Sequence, residues 1–362
     1  MSRMRVGEVL QAVNRLAPFD TALDWDNSGL LVGDRGAEVE KVLVALDVTA
    51  QVVAEAKAAG AGLIVSHHPV IFGGGRKRLL AGDPAFEAAA AGIAVISAHT
   101  NYDMAPEGVN HALAQALELQ NVRPLVKERT EPWKKLVVFV PATHAEAVYR
   151  AMSEAGAGKM GNYGGVASIL DAEGRFLPLP GSQPFIGRVG EPCRVVEKGI
   201  EMVVPPHLLE DVLLAVKQAH PYEEPAWDVY DDWGVTQDCW LGCVGSLTEA
   251  VDEAAFARRI REALGIAPRF NPGKRSIRRV AVCGGAGADA LSAAPGIDAL
   301  VTGDVKHHQF LEAAARGITL YDAGHYATEN IAMPQLRDQL RRLLPGVTVD
   351  LARAYAGQVA SL

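Results

Sequence analysis

The chain has 362 residues, 49% of them hydrophobic, with a formal net charge of -8 and a pI near 5.7. That length suits two domains of ~100–200 residues each, and the composition excludes a disordered chain. The acidic balance argues against a basic nucleic-acid-binding surface while leaving room for one bound nucleotide, and no apolar run approaches the ~20 residues of a membrane span.

The N-terminus, Met-Ser-Arg-Met-Arg-Val-Gly-Glu, reaches a Glu before any apolar run and does not read as a secretory signal. Residues 5–16 follow as an amphipathic helix with Val6, Val9, Leu10, Val13 and Leu16 on one side. A polar loop, Asp24-Trp25-Asp26-Asn27-Ser28-Gly29, precedes an alternation of short apolar runs and helical stretches. Val42–Leu46 ends at Asp47-Val48-Thr49, and 50–59 is helical. Leu63–Val65 ends at Ser66-His67-His68-Pro69, and 84–91 is helical. Ile93–Ile96 ends at Ala98-His99-Thr100-Asn101-Tyr102-Asp103. Short buried strands alternating with helices predict a mostly parallel sheet covered on both faces.

From about Glu131 the character changes. A strand at Leu136–Val140 leads to a helix over 143–155, a Gly-rich loop at 156–165, a strand at Val166–Leu170 and a turn at Asp171–Gly174. A strand at Gly199–Val204 then precedes a helix with Leu208, Leu209, Val212 and Val216 inward. This order predicts a ferredoxin-like α+β inserted domain, with the host resuming at Leu241–Gly245. The expected division is 1–130, 131–237 and 238–362. The last part repeats the opening rhythm: Val280–Val282 ends at Cys283-Gly284-Gly285, Ala299–Val301 at Thr302-Gly303-Asp304, and Ile318–Tyr321 at Asp322-Ala323-Gly324-His325. Two similar, mostly parallel α/β halves are therefore expected, interrupted by the insert.

Open parallel sheets bind ligands beyond the carboxyl ends of their strands. Those ends carry His67, His68, His99, His307, His308 and His325, six of the ten histidines. Alone, His67-His68 reads as two polar residues of a strand-end loop, and Asp103 as a turn or helix cap before Pro106. Pro69 helps end the strand pairing, so that both imidazoles can turn towards one site. His325 and Glu329 stand four apart, on one face of a helix that can run to Pro334. Three imidazoles and two carboxylates exceed one tetrahedral site and suit two divalent transition-metal ions sharing a carboxylate. The mixed N/O donors fit zinc, iron or manganese. Asp47, Thr49, Asp304 and His99 would stand behind the ligands and fix their tautomers, with His99 and Glu329 as catalytic candidates. His307 and His308 read equally as substrate contacts or structural residues. The four cysteines, Cys193, Cys239, Cys243 and Cys283, match neither a disulfide framework nor a strong zinc spacing, which points to a cytoplasmic protein.

The motifs at 24–29, 46–49, 66–69, 99–103, 302–304 and Gly324-His325…Glu329 resemble the NIF-three-like family, whose members are often labelled GTP cyclohydrolase I type 2 homologues. The resemblance spans about 1–126 and 241–362. It implies metal ligands at His67, His68, Asp103, His325 and Glu329, with the Glu bridging, and a toroidal homohexamer. The middle segment, through Gly161-Asn162-Tyr163 and 219–225, resembles the PII/CutA-like insert of the long bacterial form. The expected function is metal-dependent hydrolysis of a small molecule, GTP in the sense of the label. The alternative is a regulatory or metal-handling protein without turnover. In that case the loop at 156–165, or His220 with Glu223-Glu224, would contact a ligand of the insert; the plainer readings are a flexible loop and a turn with polar rim residues.

Overall fold

The computed structural model describes residues 4–73, 78–273 and 276–354. The chain divides into two compact units, 1–128 with 239–362, and 129–238. In chain order the first stretch forms α1 (Val6–Leu16), β1 (Gly29–Val32), β2 (Lys41–Ala45), α2 (Ala50–Ala58), β3 (Leu63–Ser66), α3 (Pro84–Ala90), β4 (Ala94–Ser97), α4 (Thr100–Met104) and α5 (Val109–Ala116). Next come β5 (Gln120–Pro141), α6 (Ala145–Glu154), β6 (Ala167–Phe176), β7 (Cys193–Val204), α7 (Leu209–Ala219) and β8 (Ala226–Val251). The remainder is α8 (Glu253–Leu264), β9 (Arg269–Phe270), β10 (Ile277–Val282), β11 (Ala299–Thr302), α9 (His307–Ala315), β12 (Thr319–Asp322), α10 (His325–Asn330), α11 (Met333–Leu343) and β13 (Thr348–Leu351).

The larger unit holds a five-stranded sheet in the order β1-β4-β3-β2-β13 and a run ordered β8-β10-β11-β12-β9. The central strands of both are parallel, and β1, β8 and β9 pair antiparallel at the flanks. The fold is thus mixed α/β with two sheets. Strand side chains alternate between faces, and both faces are covered. Val42, Val44 and Val65 pack with Val9 and Val13 of α1 and Leu336 of α11, while Leu43, Ala45 and Ile64 pack with Val52, Val53 and Ala88. In the other sheet Val280, Val282 and Val301 meet Phe256, Ile260 and Leu113, and Ala281, Leu300 and Leu320 meet Leu291 and Ala313. Doubly covered strands must be apolar throughout, so they read as unbroken runs in the sequence.

The sheets do not divide at the sequence halves. β13, from the end of the chain, completes the first sheet by pairing with β2, and Leu113 and Leu117 of α5 belong to the core of the second. The smaller unit has the element order βαββαβ and the strand order β6-β7-β5-β8. Val138, Val140, Ile200, Met152, Val212 and Val216 form its core. The turn expected at Asp171–Gly174 is instead strand: β6 continues to Phe176, with Asp171 opposite Lys198 and Glu173 opposite Val196. Likewise β5 runs without a break through Glu131-Pro132. Among the described residues no helix is long and apolar enough to cross a membrane.

Candidate metal centre

The carboxyl ends of β2, β3, β4, β10 and β12 gather around a cavity of about 530 Å³ lined by His68, His99, Asp103, His325 and Glu329, with Trp25, Phe72, Leu241 and Cys283 on its walls. His67 is fully buried beside them. Both His67 and His68 continue the pairing of β3, donating their backbone N–H groups to Ala45 O at 3.1 Å and Leu46 O at 2.9 Å. The Ser66 hydroxyl donates to His68 O at 2.9 Å and so fixes the bend at which the ladder ends. Asp103 lies within α4, in its first turn, rather than capping a helix. Gly324 has a φ of 78°, a conformation that favours glycine, and it starts α10. One turn of that helix then puts His325 and Glu329 on the same face. α10 stops at Asn330, and Pro334 opens the next helix instead of ending this one.

Three groups of side chains converge, and Glu329 belongs to two of them. In the first, His67 Nε2 lies 3.6 Å from Asp103 Oδ1 and 3.7 Å from Glu329 Oε1. In the second, Glu329 Oε2 lies 2.9 Å from His68 Nε2 and 3.1 Å from His325 Nε2, and the two imidazole nitrogens are 3.3 Å apart. The far nitrogen of each ring is anchored. His67 Nδ1 is 2.9 Å from Ala98 O, a pure acceptor, so that nitrogen carries the hydrogen. His68 Nδ1 and His325 Nδ1 each lie 2.7 Å from a carboxylate, of Asp47 and Asp304 respectively. With hydrogens on all three Nδ1 atoms, every neutral ring presents a bare Nε2 lone pair to the centre.

The donor set therefore fits a cation. His67 Nε2, Asp103 Oδ1 and Glu329 Oε2 are buried and make no hydrogen bond. Leaving such atoms buried and unsatisfied is costly. Gaps of 3.6–3.7 Å are too long for hydrogen bonds and suit two ligands on one ion, each ~2.0–2.2 Å away.

The charges are tuned strongly. Burial disfavours protonation of His67, but Asp103 and Glu329 outweigh it and raise its pKa. Burial likewise opposes protonation of His68, yet Asp47 and Glu329 push it up to about 10. The Glu329 carboxylate at 3.1 Å, with Asp304 behind, raises His325 to about 9 against the opposing effect of burial. Burial lifts Asp103 to about 6 although His67 pulls it down. Burial would raise Glu329 too, but His67, His325 and His68 hold it well below the ordinary carboxylate range.

His99 also reaches the cluster, grouped with His67 and His68. Its Nδ1 is 2.7 Å from Asp26 Oδ1. The other Asp26 oxygen accepts from Thr100 N at 3.0 Å, Thr100 Oγ1 at 2.6 Å and Ser28 Oγ at 2.8 Å. Burial works against the charge of Asp26, but these partners, His99 foremost, drive its pKa far down. Asp26 stands in the polar loop at 24–29, and only its residue type signalled the role. Thr49, expected behind a histidine, instead caps α2 by accepting from Val52 N at 3.2 Å. His307 and His308 begin α9, are exposed and do not line the cavity. His220 is structural: its Nε2 bonds Phe139 O at 2.9 Å and its Nδ1 accepts from Tyr222 N at 3.0 Å. Gly285 was not singled out, yet a Cβ there would stand 2.2 Å from Glu329 Oε1. The position requires glycine both for that approach and for its φ of 61°.

The Duf34/NIF3 (NGG1p interacting factor 3) family model matches residues 4–355. A Halalkalibacterium halodurans protein named "GTP cyclohydrolase 1 type 2 homolog" is 36% identical over 349 residues, 94% of each chain. A Bacillus subtilis protein of the same name is 36% identical over 328 residues, 88% of each chain. The crystal structure of a Bacillus cereus protein related to NIF3 superposes over 100% of both chains with a TM-score of 0.78 at 34% identity. With the family model matched over nearly its whole length, the chain is a member of the Duf34/NIF3 family.

Proposed function

We propose that this chain is a metal-dependent hydrolase whose centre takes two divalent transition-metal ions, zinc, iron or manganese, on His67, His68, Asp103, His325 and Glu329. The observation that carries this reading is Glu329, whose two oxygens face two separate donor groups. A pair of such cations, when bound, supplies Lewis acidity and lowers the pKa of water towards ~7. His67, His68 and His325 present fixed Nε2 lone pairs, and Asp103 and Glu329 supply negative charge. His99, braced by Asp26, is placed to move a proton at the cavity wall. The exposed rings of Trp25 and Phe72, 6.0 Å apart, offer a planar substrate a face to pack against.

The names of the relatives make GTP the first substrate to test. Water added across C8–N9 would open the imidazole ring, and a second water would release C8 as formate. Metal-loaded protein purified without oxygen should consume GTP and release formate, and His67→Ala and Glu329→Gln should abolish this. Equal residual rates in wild type and variants would assign the activity to a contaminant. The second reading, a regulatory or metal-handling protein, is favoured by the separate 129–238 unit with its own core. Silence across a nucleotide panel with the metals in place would select it.

We further propose that 131–237 is an inserted ferredoxin-like, PII/CutA-like domain between metal-binding parts at 1–130 and 238–362. The βαββαβ order supports this. The assembly is proposed to be a cytoplasmic homohexamer; light scattering should then give six times 38.4 kDa.

A further inference from the structure

The 129–238 unit contains a second cavity, of about 660 Å³, that belongs to neither the metal centre nor the reading above. We propose that it binds a small organic cation, an ammonium or amidinium group on an apolar body. The volume lies within the ~300–1,000 Å³ of small-molecule sites. One wall is aromatic: Phe176, Phe185 and Tyr222 line it, with the Phe176 and Phe185 ring centroids 5.9 and 6.5 Å from that of Tyr222. Ring faces attract cations within ~6 Å.

The charged lining is predominantly acidic. Glu173, Glu197, Glu223 and Glu224 face the cavity, against one guanidinium, Arg175. Arg175 is already bound to Glu173, its Nε at 2.6 Å, and Arg194 neutralises the same carboxylate further at 2.7 Å. Glu223 accepts from Gln183 N at 3.0 Å. Glu197 differs from these exposed groups because it is only 6% exposed. One of its oxygens accepts from Tyr222 Oη at 2.9 Å; the other makes no hydrogen bond or ion pair among the described residues. A carboxylate without a counter-ion on the lining of a cavity with an aromatic wall is an arrangement that recognises a cation. Gly174 keeps this position open, since a Cβ there would come within 2.4 Å of the Glu197 carboxylate. An anion would meet the same carboxylates and be repelled, and a neutral apolar molecule would leave Glu197 unpaired.

The test is calorimetric titration of the full-length protein with benzyltrimethylammonium, its neutral carbon isostere neopentylbenzene, and benzoate. The ammonium should bind at least about tenfold tighter than the isostere, and benzoate should not bind. Glu197→Gln, which keeps an acceptor for Tyr222, should weaken the ammonium about tenfold or more. Phe185→Ala, at a half-exposed ring, should weaken it severalfold without unfolding the protein. Metal content should be unchanged in both variants. Equal binding of ammonium and isostere, an unaltered Glu197→Gln, or no ammonium binding at millimolar concentration would overturn the proposal.

Discussion

Replacing Glu329 by Gln keeps the shape of the side chain and removes the one charge common to both donor groups. Its oxygens lie 2.9 and 3.1 Å from two imidazole nitrogens and 3.7 Å from a third. At ~3 Å and an effective dielectric constant of ~20, one unit charge is worth about 5 kcal/mol against a neighbouring cation. Part of that is offset by the cost of burying the charge. Residues that only orient a ligand cost ~10–100-fold in metal affinity, so a direct ligand shared by two ions should cost more than ~100-fold at each. The assay is elemental analysis after dialysis against a weak chelator, beside His68→Ala. Wild type should retain about two equivalents, His68→Ala about one, and Glu329→Gln close to none, with circular dichroism unchanged. Retention of both equivalents by Glu329→Gln would refute the bridging assignment, and equal losses in the two variants would refute the division into two groups.

Other outcomes follow from the same geometry. Gly285→Ala, whose Cβ would meet Glu329 Oε1 at 2.2 Å, should lower metal content nearly as far as Glu329→Gln; full occupancy would show that Glu329 is not held where it must be to ligate. Asp304→Asn removes the carboxylate 2.7 Å from His325 Nδ1 and should weaken metal binding ~10–100-fold, as competition with a fluorescent chelator would measure. Metal binding displaces protons from His68 and His325, whose pKa values are raised to about 10 and about 9, so affinity should fall steadily as pH drops below 9. The sign reverses for stability. A histidine raised on folding stabilises below its unfolded value of ~6.5 and loses that contribution as pH rises through its folded value. Chelated protein should therefore melt progressively lower between pH 6.5 and pH 10, whereas a constant or rising melting temperature would count against these charges.

The parts of the fold legible in the sequence are those whose physics is local. Val42–Leu46 and Leu63–Val65 are apolar throughout because both faces are covered, and the His325–Glu329 spacing is one helical turn. β13 escaped notice because its pairing with β2 joins Thr348 to Lys41, a partnership without a local signature. The role of Asp26 depends on His99, 73 residues away. Asp171–Gly174 carries turn-forming residue types, yet β6 lies at an end of the strand order. There its charges are exposed and pair across the ladder with Lys198 and Arg194, so polarity does not oppose pairing. Of the long strands β5 and β8 only the stretches at Leu136–Val140 and Leu241–Gly245 were legible, since most of their other residues are at least partly exposed.

The central claim is that two cations share Glu329. Anomalous diffraction from crystals of the metal-loaded protein, collected at the absorption edge of the metal present, tests it most directly. The account predicts two peaks per chain, ~3.5–4 Å apart, one beside His67 and Asp103, the other beside His68 and His325, with Glu329 between them. A single peak, or two peaks of which only one touches Glu329, would contradict it.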